Sequence, residues 1–317
     1  MSPKDRAALD AARERGLGRE LATALAAARD AGAIVRDAWD AIAARPPDAR
    51  APAPRDASET PVTRADLAAD AAIRARVARE HPDDGWCSEE SGPRTGARTW
   101  IVDPLDGTHE LLALVPELAV SIALVERGAP LVGVVANPIA GVVVAAVRGG
   151  GCFRDGARAR VSTQCELARA TALASRSESR RGDWEPIAGW FGAVRPTGSA
   201  AWKLAAVACG EGDLTVSVRP KRSWDVCAGD LLVREAGGIY ADASLRAPRY
   251  APPGCALPAG MAAGPRALVA ALFARAGALA PGALAPGARA PDARERDTRE
   301  RDGSEGAGTG TPRGGDV

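Results

Sequence analysis

The sequence is poor in residues that mark several common kinds of site. It has 6 cysteines in 317 residues and no Cys-x-x-Cys pair, so it indicates neither a zinc ribbon nor a disulfide framework. We expect buried thiols in a protein of a reducing compartment. The cysteines are Cys87, Cys152, Cys165, Cys209, Cys227 and Cys255.

An excess of charge of one sign is also lacking. There are 41 basic and 40 acidic residues, which gives a net charge of +1 and no reason to expect a nucleic acid polymer or an anionic membrane as partner. No uninterrupted apolar run approaches the ~20 residues that span a bilayer, and residues 1–20 are too charged for a signal peptide. We therefore expect a cytoplasmic protein, and its oligomeric state stays open.

The chain is nevertheless rich in apolar residues, 46% of the total, and its first half is patterned for helices and then for strands. After a flexible extension at residues 1–18, helical periodicity covers residues 19–43 and 62–83. The Pro-rich stretch 44–59 between them is typical of a loop. Several β-rich segments follow, so residues 19–167 are predicted to form an α+β half.

The second half has a different pattern. Strand-like and helix-like segments alternate over residues 168–278, which predicts an α/β half. Residues 279–317 contain alanine, proline, glycine and charge without apolar periodicity, and we expect this tail to be disordered.

Three acidic signals stand out against this background. "CSEES" contains Glu89 and Glu90, "DPLDG" contains Asp103 and Asp106, and "SWDVCAG" places Asp225 at the start of a predicted helix. Each has an ordinary interpretation. The glutamates suit a solvated surface pair, the two aspartates suit a turn, and Asp225 suits a helix cap.

The spacing of the second signal favours a cation site. Asp103 ends a buried strand, where an unpaired carboxylate would be costly. Pro104 makes the following turn rigid, so it can aim Asp103 and Asp106 at one point with the Leu105 carbonyl between them. Gly107 lets the chain enter a helix whose first amides suit a phosphate. Hard oxygen ligands beside a phosphate site match the preferences of Mg²⁺.

At these motifs the chain resembles the inositol monophosphatase superfamily of metal-dependent, lithium-sensitive phosphatases. "SEES", "DPLDGT" and "WDVCAGDLLVREAGG" occur in the family's order, and the resemblance covers residues 20–277. It implies a layered α/β/α/β/α sandwich with the active site between the two halves. It also implies two or three Mg²⁺ ions and a small phosphorylated metabolite as substrate.

The resemblance also implies roles for single residues. Thr108 would help to position the attacking water and Asp66, in "VTRAD", would be its acidic partner, while Glu90 would lie behind Glu89 without touching metal. The ions would activate water and neutralise phosphate charge, so neither histidine, His81 or His109, is needed as nucleophile. The implied metal ligands are Glu89, which also acts catalytically, Asp103, the Leu105 carbonyl, Asp106 and Asp225.

Within the superfamily, two details favour a bisphosphate nucleotidase. Leu105 and Glu110 match the nucleotidase pattern DPLDGT-Lys-Glu-Phe, although His109 and Leu111 depart from it. Inositol monophosphatases carry an inositol-binding glutamate seven residues before the WD aspartate, and here that position is Val218. Losing that carboxylate removes a contact that discriminates a polyol.

Cationic residues could meet a second phosphate. Lys203 lies in a helix whose nucleotidase counterpart also carries a lysine, and Lys221 and Arg222 precede the WD motif. Each also has a plain interpretation, Lys203 as a surface lysine and the other two as solvated charges. The remaining expected substrate contacts are Gly107, Thr108 and His109.

The sequence thus predicts a Mg²⁺-dependent phosphomonoesterase, in the first place a 3'(2'),5'-bisphosphate nucleotidase that converts adenosine 3',5'-bisphosphate to AMP and phosphate. An inositol-1-monophosphatase or another small sugar-phosphate phosphatase is the alternative. A catalytically weak, metal-binding regulatory homologue is the alternative of another class.

Overall fold

The computed structural model describes residues 2–46, 64–250 and 256–279. Its helices are α1 (Arg6–Glu14), α2 (Gly18–Ala43), α3 (Arg64–Glu80), α4 (Thr108–Leu112), α5 (Arg176–Arg180), α6 (Glu185–Ala188), α7 (Ala200–Ala208), α8 (Ser223–Glu235) and α9 (Arg266–Leu279). Its strands are β1 (Gly85–Ser88), β2 (Arg98–Asp106), β3 (Ala119–Glu126), β4 (Ala129–Asn137), β5 (Val142–Val147), β6 (Gly151–Arg154), β7 (Ala157–Arg158), β8 (Thr171–Ser175), β9 (Ala193–Thr197), β10 (Thr215–Ser217), β11 (Lys221–Arg222), β12 (Ile239–Ala241), β13 (Ala256–Leu257) and β14 (Met261–Gly264).

The first half is organised by one large sheet. Its seven strands lie in chain order from β1 to β7; β1 and β2 are parallel, and every other neighbouring pair is antiparallel. Strands β2, β3 and β4 are buried along almost their whole length, because helices cover both faces of the sheet.

Helices α1, α2 and α3 form the outer layer on one face of this sheet. Leu21 and Ile73 pack with Trp100 and Ile122 in one buried cluster. The N-terminal segment differs from the expected flexible extension, because α1 joins the same cluster through Leu9, which is 2% exposed. The buried face of α1 consists of Ala8, Leu9 and Ala12 at helical spacing, so the sequence did carry an amphipathic signal in this segment.

Helices α7 and α8 form the middle layer. Leu204 of α7 and Leu231 of α8 lie in one buried cluster with Ile101 and Val135, which belong to the large sheet, and with Met261 of β14. The middle helices therefore pack between two sheets, and their N-terminal ends come to the region where β2 ends.

The second sheet and an outer helix complete the sandwich. Strand β14 pairs with β10 and β12, β8 is parallel to β9, and a bridge from Ala172 to Leu214 joins the two groups. On the outer side, Leu268 and Leu272 of α9 pack with Val216. The predicted α/β/α/β/α sandwich is confirmed.

Several details differ from the sequence expectations or lie outside the described residues. Strand β1, helix α5 and the short pair β11–β13 were not predicted. Cys165 is exposed rather than buried. The tail at residues 280–317, most of the expected linker and Cys255 lie outside the described residues, and the division of the chain after residue 167 stays a prediction. Among the described residues, no helix combines the length and apolar character needed to cross a membrane.

Candidate active site

A bulge at the end of β2 brings two aspartates to the same place. Asp103 pairs with Ser121 and Asp106 pairs with Ala119, so two residues of β2 stand opposite one residue of β3. The backbone N–H of Leu105 donates to Asp103 Oδ1 at 3.0 Å, which fixes the turn. The bulge re-aims the strand end, and both carboxylates line one cavity.

Gly107 and Thr108 continue this turn into α4. Gly107 has a φ of 112°, and a Cβ there would lie 3.0 Å from the Cβ of Leu118, so the position requires glycine. Thr108 is buried, and its hydroxyl donates to Asp66 Oδ1 at 3.0 Å. The Thr108–Asp66 contact predicted from the sequence is therefore present, and Thr108 Oγ1 also lies 3.4 Å from the Leu105 carbonyl oxygen.

Two further carboxylates reach the cavity from other elements. Glu89 follows β1, and its N–H donates to the Val102 carbonyl of β2, so it lies beside the aspartate turn. Asp225 is in the first turn of α8, where its Oδ2 accepts from the Arg222 N–H at 2.9 Å. The capping role expected for such a residue is thus present, and it occupies one of the two oxygens of Asp225.

Burial and mutual repulsion make these carboxylates hard to ionise together. Desolvation, and then the charges of Asp106 and Glu89, raise the pKa of Asp103 well above its usual range. Desolvation and then Asp106 raise the pKa of Asp225 to about 7, and desolvation and then Asp225 raise that of Glu89 to about 8. The side chain of Glu89 still reaches solvent, which screens part of the effect.

All four carboxylates face a single cavity of about 310 Å³. We call Glu89, Asp103, Asp106 and Asp225 the acidic wall. Gly107, Thr108 and His109, which were predicted to contact substrate, also line it. The cationic residues that line the same cavity, which we call the basic wall, are Arg176, Arg180, Lys203, Lys221 and Arg222.

Three members of the basic wall are bonded within the protein. Lys203 is only 6% exposed, so it is not the surface lysine of the plain interpretation; its Nζ donates to the Ser199 carbonyl at 2.9 Å. Burial, and then the charge of Lys221, lower the pKa of Lys203. Lys221 donates to Glu178 at 2.7 Å, and Arg176 is bonded to Glu117.

Three other groups that line the cavity make fewer interactions within the described part of the protein. Arg180 is exposed, and the guanidinium of Arg222 lies 5.9 Å from the ring centre of Trp224. The Nε2 atom of His109 is buried without a hydrogen-bond partner in the described residues. Burial, and then Arg180, lower the pKa of His109, which favours its neutral form.

Sequence reasoning missed Arg176 and Arg180 because it did not predict α5. A signal was present, since Ser175 stands three residues before Glu178 as in a capping box. In the structure Ser175 Oγ accepts from the Glu178 N–H at 3.4 Å. A helix of five residues is too short to show periodicity, so the cap was its only mark.

The acidic wall fits a hard divalent cation by its chemistry, because it offers several carboxylate oxygens whose charge hydrogen bonds and nearby cations compensate only in part. As the side chains stand, no three or more His, Cys, Asp or Glu side chains of the described chain are grouped so that they could hold a metal ion. A cation would therefore have to draw these carboxylates together.

Acidic and basic side chains line one cavity of this layered sandwich, which fits a phosphatase of the kind that uses metal ions. The particular family follows from sequence comparison. Residues 18–276 match the model of the inositol monophosphatase family, so the chain belongs to that family, whose members act on small phosphorylated substrates.

Individual relatives agree with this assignment. The chain is 36% identical over 234 residues to "Nus factor SuhB" of Salmonella typhimurium, which covers 70% of this chain and 84% of the relative. It is 36% identical over 192 residues to "Inositol-1-monophosphatase" of Rhizobium meliloti, covering 57% of this chain and 72% of the relative. The solved inositol monophosphatase from Anabaena superposes with a TM-score of 0.69 at 28% identity, covering 84% of this chain and 98% of that one.

Proposed function

We propose that the protein is a Mg²⁺-dependent phosphomonoesterase whose preferred substrate carries a second phosphate, in the first place adenosine 3',5'-bisphosphate, which it converts to AMP and phosphate. The observation that carries this choice is Val218. Its side chain is 2% exposed and packs in the core of the second sheet, so no carboxylate is available there to bind inositol hydroxyls.

The acidic wall supplies the metal-binding groups of this proposal. Glu89, Asp103, Asp106 and Asp225, with the Leu105 carbonyl, would hold two or three Mg²⁺ ions. When bound, such ions lower the pKa of water and neutralise phosphate oxygens. Three of these carboxylates, Glu89, Asp103 and Asp225, have raised pKa values, and they are favourable partners for cations because a bound cation removes the mutual repulsion of the wall.

The contact between Thr108 and Asp66 supports a role in orienting water. The hydroxyl proton of Thr108 is engaged by Asp66, so the Thr108 oxygen can only accept from a further donor. A water that donates to Thr108 would have a fixed orientation, and Glu89 would act with this pair as a catalytic group. Gly107, Thr108 and His109 would contact the phosphate that is transferred, because they line the cavity beside the acidic wall.

The basic wall supports binding of a second phosphate. Lys203, Lys221 and Arg222 were predicted for this role, and all three line the cavity. Because Lys221 is paired with Glu178, we assign the larger share to Arg222 and to Arg180, which have no carboxylate partner among the described residues. The unpartnered Nε2 of His109 could donate or accept at the same phosphate.

An inositol-1-monophosphatase is the second candidate, because the Rhizobium meliloti relative carries that name and the Anabaena structure is named an inositol monophosphatase. A regulatory homologue is the third, because another relative is named a Nus factor. The contact of Thr108 with Asp66 argues against the third, since a protein that only binds metal has no need to orient water.

A substrate panel tests the proposal. In one Mg²⁺ buffer, kcat/KM should be higher for adenosine 3',5'-bisphosphate than for inositol 1-phosphate by roughly 10- to 150-fold, the equivalent of one charge-assisted contact. Fructose 1,6-bisphosphate serves as the third substrate. A ratio that favours inositol 1-phosphate would make the second candidate correct. No turnover of any substrate would favour the third.

Metal dependence is tested in the same assay. Chelator should abolish turnover and added Mg²⁺ should restore it, and Li⁺ should inhibit, as the family resemblance implies. Full activity in chelator would contradict the assignment of the acidic wall.

A further inference from the structure

Ser199 connects the acidic wall to the basic wall. It precedes α7, and its hydroxyl donates to Asp106 Oδ2 at 2.7 Å across 93 residues of sequence. The Ala201 N–H donates to the same oxygen at 2.6 Å. Both donors thus act on Oδ2 of Asp106, and Oδ1 receives no hydrogen bond from the described part of the chain.

The same residue also fixes the cationic side chain of α7. The carbonyl oxygen of Ser199 accepts from Lys203 Nζ at 2.9 Å. One residue therefore holds Asp106 of the acidic wall through its side chain and Lys203 of the basic wall through its backbone.

Ordinary helix capping does not account for this geometry. As an N-cap, Ser199 Oγ accepts from the Trp202 N–H at 2.9 Å, which uses only a lone pair of the hydroxyl. The hydroxyl proton is directed at Asp106 instead. Ser199 also has a φ of 50°, a conformation that glycine adopts without strain and that other residues adopt at a cost. A serine here keeps the hydroxyl in spite of that cost.

We propose that Ser199 is a positioning residue, which orients Asp106 so that its Oδ1 atom is presented to a cation. Through its carbonyl oxygen it also holds the ammonium group of Lys203 at a fixed position relative to that cation. The proposal rests on the metal site of the proposed function. Hydrogen bonds to a ligating carboxylate fix its direction, and removing such a partner typically weakens metal binding by roughly 10- to 100-fold. Because the Ala201 N–H would remain, we expect the lower end of that range.

The experiment is a Mg²⁺ titration of the full-length protein without substrate. The melting temperature is measured at each Mg²⁺ concentration. In Ser199→Ala, the Mg²⁺ concentration at half-maximal stabilisation should rise about tenfold. Ser199→Thr keeps the hydroxyl, so its Mg²⁺ midpoint should stay close to that of the unsubstituted protein, although a β-branched residue at a positive φ lowers the stability of the metal-free variant. Ser199→Gly relieves the positive φ but lacks the hydroxyl, so it should shift like Ser199→Ala without losing stability in the absence of metal.

Ser175→Ala is the matched control. Ser175 and Ser199 are both 8% exposed, both cap a short helix and both line the cavity, but Ser175 makes no hydrogen bond to the acidic wall. Its Mg²⁺ titration should match that of the unsubstituted protein. Turnover of Ser199→Ala should recover when Mg²⁺ is raised, whereas a purely structural defect would not respond to the ion.

The outcomes separate this inference from the proposed function. An unchanged titration in Ser199→Ala, an equal shift in Ser175→Ala, or a Ser199→Thr variant as weak as Ser199→Ala would overturn the role of Ser199 alone. If the unsubstituted protein shows no response to Mg²⁺, the metal site itself is wrong and the inference falls with it.

Discussion

The two walls of the cavity are made of opposite charges, and the protein treats them differently. Burial and mutual repulsion raise the pKa values of Asp103, Asp225 and Glu89, because the protein supplies no cation that fully compensates them. In the basic wall, by contrast, Lys221 is paired with Glu178, and Arg176 with Glu117. The acidic wall needs something from solution, whereas much of the basic wall is balanced within the protein.

This difference indicates how much each wall contributes. Activity should depend on every carboxylate of the acidic wall, because losing one carboxylate removes a ligand that nothing else replaces. Substitutions in the basic wall should each lower activity by a smaller amount, because only the few side chains that remain available can contribute to substrate binding. The predictions that follow test this contrast.

The largest effect is expected from neutralising the acidic wall. Asp103→Asn and Asp225→Asn keep the shape but remove a charged ligand, so kcat/KM should fall by about a thousandfold or more. Steady-state kinetics in saturating Mg²⁺ measure this. Asp37→Asn, on the exposed surface of α2, should have no effect and serves as the control. Retention of a tenth of the activity in both active-site variants would contradict the contrast between the walls.

The extent to which this contrast was predictable differs between the walls. The part of the acidic wall at the end of β2 is local in sequence, because Asp103, Leu105 and Asp106 lie within one tight turn whose proline and glycine mark it. Glu89 precedes this turn and Asp225 follows it by more than a hundred residues; both stood out as acidic signals, and the family resemblance implied that they bind metal. The turn was therefore predictable from local chemistry and the approach of Glu89 and Asp225 from the order of motifs, whereas the binding of metal by these residues stays a prediction.

The partners of the basic wall could not be predicted in this way. Lys221 and Glu178 are 43 residues apart and meet only through tertiary packing, so no local pattern shows that this lysine is neutralised. Helix α5 was missed because five residues carry no periodicity, and with it Arg180 was missed. Helix α1 was missed although its spacing is helical, because Leu9 is its one large apolar side chain and the segment around it is highly charged.

The next effect is the pH dependence of metal binding. The folded-state pKa of Asp225, about 7, and that of Glu89, about 8, lie above their ordinary values, so ionising these groups destabilises the metal-free protein as pH rises through 7 and 8. Mg²⁺ must displace any protons that remain, so it competes best at high pH. Between pH 6 and 8.5 the apparent affinity should rise by about tenfold through Asp225 alone, and further through Glu89, whose contribution solvent screening reduces.

Melting temperatures with and without Mg²⁺ across this range measure the effect. The metal-free protein should lose stability as pH rises, and the gain from Mg²⁺ should grow at the same time. A gain that is larger at pH 6 than at pH 8.5 would show that the acidic wall is already ionised and compensated, which would remove the contrast between the walls.

The smallest effect is expected from Arg180, the exposed cation of the basic wall. Arg180→Gln should lower kcat/KM for adenosine 3',5'-bisphosphate by about tenfold, the lower end for a charge-assisted contact, because solvent and salt screen an exposed guanidinium. Adenosine 3'-monophosphate lacks the second phosphate, so its kcat/KM should hardly change. The ratio of kcat/KM for the two substrates therefore isolates the contact. The salt dependence of this ratio should be weaker in Arg180→Gln. Arg181→Gln is the control, since the adjacent Arg181 pairs with Asp183 and does not line the cavity. Equal losses on both substrates would place Arg180 at the transferred phosphate, and no loss on either would leave Arg222 to hold the second one.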